Sequence, residues 1–149
     1  MCRGTFKYGG AIFNYDLFSG TLTIGVRDNR NDYLCDIDNI SCYDQEINFP
    51  RSSFETVIIE NGITHIDVEA FEYFTNLRSV TIPESVTYIG AGAFCDCKRL
   101  TDIKIPDDVK TIGSAVFSGC TGLKTIHYKA GADFTEKLCI GNNAELIAR

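Results

Sequence analysis

Histidine is scarce in this chain: His65 and His127 are the only two. A zinc site needs about four suitably spaced ligands, and a thiol nucleophile needs a base within hydrogen-bond reach. The sequence spells out neither arrangement. No apolar run approaches the ~20 residues of a membrane span. The opening MCRGTFKYGG has Arg3 and Lys7 but lacks the apolar stretch of about 7–15 residues that a secretory leader carries next. Either the chain stays inside the cell as written, or a leader has been removed and Met1 supplied for expression.

Positive charge is also short. Fourteen Lys and Arg face twenty Asp and Glu, for a net charge of −6. That balance opposes binding to phosphate backbones and to anionic lipid, so neither nucleic acid nor membrane insertion is expected. Acidic residues cluster in 28–53, with Asp28, Asp32, Asp36, Asp38, Asp44 and Glu46 against Arg30 and Arg51. A calcium loop starting at Asp36 would need an oxygen ligand, a glycine and a glutamate at its fifth, sixth and twelfth places. Ile40, Ser41 and Ile47 stand there instead. Gly90-Ala91-Gly92 lacks the strand–loop–helix context of a dinucleotide site. No metal or cofactor is expected.

What the sequence has is a 23-residue period from Phe54 to Lys129. The units are FETVIIENGITHIDVEAFEYFTN (Phe54 to Asn76), LRSVTIPESVTYIGAGAFCDCKR (Leu77 to Arg99) and LTDIKIPDDVKTIGSAVFSGCTG (Leu100 to Gly122), with a fourth begun by LKTIHYKA. Position 4 is Val57, Val80, Ile103 or Ile126, and position 6 is Ile59, Ile82, Ile105 or Tyr128. Two apart and mostly β-branched, these lie on one face of a short strand. Pro83 and Pro106 end two of the strands by removing a ladder N–H. Ile63, Val86 and Val109 follow, then Ile66, Ile89 and Ile112, with Gly90 and Gly113 allowing a tight bend. Phe71, Phe94 and Phe117 repeat, as do Phe74, Cys97 and Cys120. The segments CDCKR and SGCTG read as short helical turns.

This pattern predicts a coil that returns on itself once per unit and stacks identical positions about 4.8 Å apart. One unit cannot bury its inner face; the stack makes a continuous core. The Phe column should form an aromatic spine and the strands a parallel sheet. Among seven cysteines at least one is unpaired within the monomer. Cys97 and Cys120 read as small apolar fillers of the core.

The flanks complete one structural domain. In 1–53, Ala11–Phe18 and Thr21–Val26 around Ser19-Gly20 read as a β-hairpin that caps the open end. An acidic connection without clear strand or helix period follows. The repeats occupy 54–131. In 132–149, Asp133 to Leu138 reads as a brief helix, Cys139-Ile140 as a short strand and Ala144 to Ala148 as a helical turn, together a C-terminal cap.

The phrase L-x-x-[VI]-x-I-P-x-x-V-x-x-I-G-x-x-[AV]-F-x-x-C, carried by Leu77 to Cys97 and Leu100 to Cys120, resembles leucine-rich repeats of the BspA-like type. Those are found in bacterial and some protozoal surface proteins. SGTLTI at Ser19–Ile24 and IGNNAEL at Ile140–Leu146 resemble the family's flanking phrases. Phe74 stands in place of the usual Cys, and Glu60 in place of the usual Pro. The resemblance implies a mainly β leucine-rich-repeat solenoid, with one short parallel strand per repeat, short helical turns and a β-hairpin N-terminal cap. It also implies a secreted or cell-surface interaction module with no catalytic residues to carry over.

Alternation sends positions 3 and 5 outward. The candidate partner-binding residues are therefore Thr56, Ile58, Ser79, Thr81, Asp102, Lys104, Thr125 and His127, with Arg78 and Lys124 from position 2. The reading is a non-enzymatic, adhesin-like or recognition module for a protein partner. A small intracellular inhibitor is the alternative and a hydrolase with an unrecognised site the third. The acidic segment competes with the sheet face as the place where specificity lies.

Overall fold

A computed structural model describes residues 3–8, 11–26, 35–37, 51–133, 138 and 144–149. Among the described residues, twelve short strands build a solenoid. The N-terminal meander is β1 (Arg3–Tyr8), β2 (Ala11–Asp16) and β3 (Thr21–Val26), antiparallel in sequence order. Next come β4 (Cys35–Ile37), β5 (Thr56–Ile59), β6 (Ile63–Ile66), β7 (Ser79–Thr81) and β8 (Tyr88–Ile89). They are followed by β9 (Asp102–Lys104), β10 (Thr111–Ile112), β11 (Thr125–Tyr128) and β12 (Glu145–Ala148).

The front of the coil is the predicted parallel sheet. β3 pairs with β5 and β5 with β7, so that Leu22, Val57 and Val80 stand in one row. β9 pairs with β11 and β11 with β12, aligning Ile103, Ile126 and Leu146. β7 and β9 lie side by side, yet no hydrogen-bonded ladder joins them among the described residues. The front is thus two ladders meeting at a seam.

Each full repeat contributes two strands, not the one expected. β4, β6, β8 and β10 form a second parallel sheet on the other side of the core, with His65, Tyr88 and Thr111 in register. Its strands are as short as two residues, too short to show an alternation by themselves. β4 arises inside the acidic segment, where no strand period is legible, and pairs with β6. The hairpin strand β3 and β4 therefore make an extra turn of coil ahead of the first repeat. The last strand corrects another expectation: Glu145–Ala148 is extended, not helical. The brief helix and the Cys139-Ile140 strand, like most of the acidic segment, fall largely or wholly outside the described residues.

The expected helical turns after the Phe column are chains of tight turns instead. Successive i to i+3 hydrogen bonds link Phe74 to Phe71 and Leu77 to Phe74, and likewise Cys97 to Phe94 and Leu100 to Cys97. Helix cannot propagate because two residues per unit adopt left-handed φ. At position 16 these are Glu69 (57°), Gly92 (63°) and Ala115 (55°); at position 20 they are Tyr73 (61°), Asp96 (57°) and Gly119 (72°). Left-handed backbone disfavours any side chain with a Cβ, so the first unit carries strain at both places, through Glu69 and Tyr73, and the next two at one each, through Asp96 and Ala115.

The core is the stacked columns. Phe71 and Phe94 stack at 5.3 Å, and Phe94 and Phe117 at 5.8 Å. Phe74, standing where later units have Cys, stacks on Phe54 at 6.0 Å and meets Phe71 edge-on at 5.5 Å. Cys97 and Cys120 are buried in the core. Each donates to the carbonyl of the spine Phe one unit earlier, Cys97 to Phe71 at 3.3 Å and Cys120 to Phe94 at 3.0 Å. In these two units the column thus combines a small side chain with a weak donor. The hydrogen bond with Cys120 and burial push the Cys97 thiol well above its ordinary range.

Gly90 and Gly113 serve close approach more than bending. A Cβ on Gly113 would lie 2.2 Å from the Ala91 nitrogen, and one on Gly90 2.4 Å from that of Val68. Glu60, lacking the Pro ring of later units, donates its N–H to Ile24 at 2.8 Å. This bonds the first repeat more fully to the N-terminal cap.

Candidate functional site

The inward rows of the front strands fill the core, so pleating sends the alternate rows to solvent. One outward row runs Thr21, Thr56, Ser79 across the first ladder and Asp102, Thr125, Glu145 across the second. The other runs Thr23, Ile58, Thr81 and then Lys104, His127, Ile147. The first ladder presents hydroxyls around a single aliphatic, Ile58, which is 36% exposed. The second presents mixed charge.

The ten residues expected on this face all lie on or directly before β5, β7, β9 and β11. Ile58, Arg78, Ser79, Thr81, Asp102, Lys104 and Lys124 are exposed, while Thr56 and Thr125 are half-buried. His127, expected to be exposed, is half-buried too. It sits between Lys104 on β9 and Ile147 on β12, and the latter strand was not anticipated there.

Two of the basic residues are paired. Arg78 Nε lies 3.3 Å from Glu55 Oε2, both side chains about half exposed. Lys104 Nζ lies 2.7 Å from Glu84 Oε1, while Glu84 Oε2 accepts the Asp107 N–H at 2.9 Å. One carboxylate of the second unit thereby grips the third unit twice, at the level where the front ladders are not joined. The bond from Lys104, then that from the Asp107 N–H, holds Glu84 below the usual carboxylate range. Ser85 makes a comparable stitch on the first unit, accepting from the Gly62 N–H at 3.1 Å and donating to the Ile63 carbonyl at 2.7 Å.

The second sheet carries a row that the sequence reading missed. His65 and Tyr88 stand side by side with ring centroids 5.4 Å apart, and Thr64 Oγ1 lies 2.9 Å from His65 Nδ1. Their signal was the shared place, one residue before the column of Ile66, Ile89 and Ile112.

The buried thiols Cys97 and Cys120 bond to main-chain carbonyls. Cys95 is half-buried beside Asp96, and burial, then the Asp96 carboxylate, pushes its thiol up. That disfavours the nucleophilic thiolate. Among the described residues no group of three His, Cys, Asp or Glu is placed to hold a metal ion. A cleft of about 560 Å³ between Pro106–Lys110 and Lys129–Asp133 is lined by neither histidine nor cysteine. No helix among the described residues is long and apolar enough to cross a membrane.

Two solved structures share the fold, and a third is similar over part of the chain. A leucine-rich repeat protein from T. pallidum superposes with a TM-score of 0.54 at 17% identity, over 97% of this chain and 82% of that one. One from Eubacterium ventriosum ATCC 27560 gives 0.52 at 21% identity, over 99% of this chain. A leucine-rich repeat protein from Bacteroides ovatus ATCC 8483 gives 0.48 at 20% identity over 66% of this chain. The chain spans 40% of the Eubacterium protein and 31% of the Bacteroides one. Identities this low speak for fold alone. Comparison with curated proteins returns no match. The sequence profile of the BspA type leucine rich repeat region, in contrast, matches residues 45–146 as six copies. With that match covering more than half of the sequence and two stacked parallel sheets in the structure, the chain belongs to the BspA type leucine-rich repeat family.

Proposed function

We propose that this protein is a non-enzymatic recognition module whose front face binds a protein partner. The observation that carries the reading is Ile58, an exposed aliphatic set in register between Thr23 and Thr81 on the first front ladder. An apolar group flanked by hydroxyls serves as an anchor, because a partner that covers it removes it from water. The mixed charge of Asp102, Lys104 and Lys124 beside it would set orientation and encounter rate. The rigid stack beneath favours binding without reorganisation.

The test is affinity capture from the source organism with chemical cross-linking. Ile58→Asp and Lys104→Glu should each abolish or weaken a specific cross-link. Lys110→Glu, placed beside the second sheet, should leave it intact. Capture that survives both front-face changes, but is lost when residues 30–48 are deleted, transfers the interface to the acidic segment and defeats this reading.

A further inference from the structure

We propose that Cys97 and Cys120 are a peroxide-oxidisable pair, joined on oxidation by a disulfide that staples the second repeat to the third. The inference is independent of what the front face binds. The two cysteines hold the same place in consecutive units, and both are buried. The turns that carry them are paired directly. The Phe94 N–H donates to the Val116 carbonyl at 3.0 Å, and the Asp96 N–H to that of Ser118 at 2.8 Å. Backbones paired in this way lie about 4.8 Å apart, within the roughly 4.4–6.8 Å between Cα atoms that a disulfide spans.

The side chains converge as well. Cys120 Sγ reaches back to the Phe94 carbonyl at 3.0 Å, and the same oxygen accepts the Cys97 N–H at 3.3 Å. The sulfur of the third unit therefore lies against the Cys97 backbone, and the two side chains are in hydrogen-bond contact. On its other side Cys97 has Phe74 in the corresponding place. The bridge would join the two units whose front strands, β7 and β9, share no ladder.

Their surroundings give the two cysteines different roles. Cys97 is wholly enclosed and Cys120 is 5% exposed, so a small oxidant meets Cys120 first. The hydrogen bond from Cys97 lowers the Cys120 thiol below its ordinary range, which favours the reactive thiolate. Cys120 Sγ, as thiolate, attacks one oxygen of hydrogen peroxide. An S–O bond forms and the O–O bond breaks. The departing hydroxide takes the proton that Cys120 gave up, leaving water and a sulfenic acid. Cys97 Sγ then attacks the Cys120 sulfur. An S–S bond forms, the S–O bond breaks, and the released hydroxide takes the Cys97 proton as a second water. Each cysteine gives up one electron and the peroxide gains both.

Peptide mapping tests the proposal: the folded chain is treated with hydrogen peroxide, then unfolded and alkylated. The Cys97 and Cys120 peptides should emerge joined, two hydrogens lighter than the separate thiols, and dithiothreitol should part them. Far-UV circular dichroism should be unchanged by the treatment, and the treated chain should melt several degrees higher. Cys97→Ala should halt the reaction at the Cys120 sulfenic acid, which dimedone traps. Should that variant not fold, mapping of the unaltered chain decides alone. Cys97 and Cys120 both alkylated after treatment overturn the proposal, as does Cys120 joined to Cys95 instead. So does a folded Cys97→Ala chain without the dimedone adduct, or a bridge between Cys97 and Cys120 that leaves the melting midpoint unchanged or lower.

Discussion

Glu84 reaches across the seam between the two front ladders to Lys104, 2.7 Å away. Its other oxygen takes the Asp107 N–H, so one side chain supplies cross-links where strand pairing does not. Both side chains are 52% exposed, and solvent screening keeps the pair's contribution to about 0.5 kcal/mol or less. Folding lowers the pKa of Glu84, so its contribution is present above the ordinary carboxylate range of about 4.3 and disappears as pH falls below it. Glu84→Gln should therefore lower the urea midpoint slightly at pH 7, and the difference from the unaltered chain should vanish toward pH 3. A difference that grows on acidification would contradict this account.

Glu72 should behave in the opposite sense. Burial, and then the neighbouring Glu69 carboxylate, raise its pKa, with Arg51 opposing. A group more easily protonated when folded favours folding more as pH drops. Glu72→Gln should thus be neutral to slightly stabilising at pH 7, within about 0.5 kcal/mol, as measured by equilibrium urea unfolding.

Gly113→Ala should be costly. The added methyl would meet the Ala91 backbone at 2.2 Å, and backbone of a stacked turn cannot step aside as a side chain can. Overpacking of this kind costs about 1–3 kcal/mol or more. Chemical denaturation should show the loss, and a variant as stable as the original would show that the turns can slide apart.

Ala115→Gly should act the other way. Ala115 holds φ at 55°, where a Cβ costs roughly 1–2 kcal/mol and glycine's extra unfolded-state entropy returns about 0.5–1 kcal/mol. The net expectation is a gain of up to about 1.5 kcal/mol, read as a higher midpoint of unfolding.

Phe94→Ala should be among the most damaging changes. Phe94 is fully buried and stacks on Phe71 and Phe117 at once. Its removal leaves a hole in the middle of the spine, for a loss of about 3–5 kcal/mol. Calorimetry should show a lower and broader transition if the two halves of the stack then unfold separately.

The 23-residue recurrence by itself determined the coil, the front strands, the Phe spine, the Cys column and the outward positions of the ten candidate residues. Repetition makes that possible: each column is stated several times, and period-two alternation marks the inner face. Outside the repeats, the two apolar runs on either side of Ser19-Gly20 marked that pair as the turn of a hairpin. Tertiary structure decided the rest. A strand of two residues such as Tyr88–Ile89 has no periodicity to display and exists only because neighbouring turns pair with it. The strand within the acidic segment and the strand at Glu145–Ala148 likewise owe their extended form to ladders with β6 and β11. The tight turns after the Phe column became strained non-helical backbone because stacking fixes their path. The Glu84–Lys104 bridge spans twenty residues of sequence, and only the stacking of one turn on the next brings its two charges together.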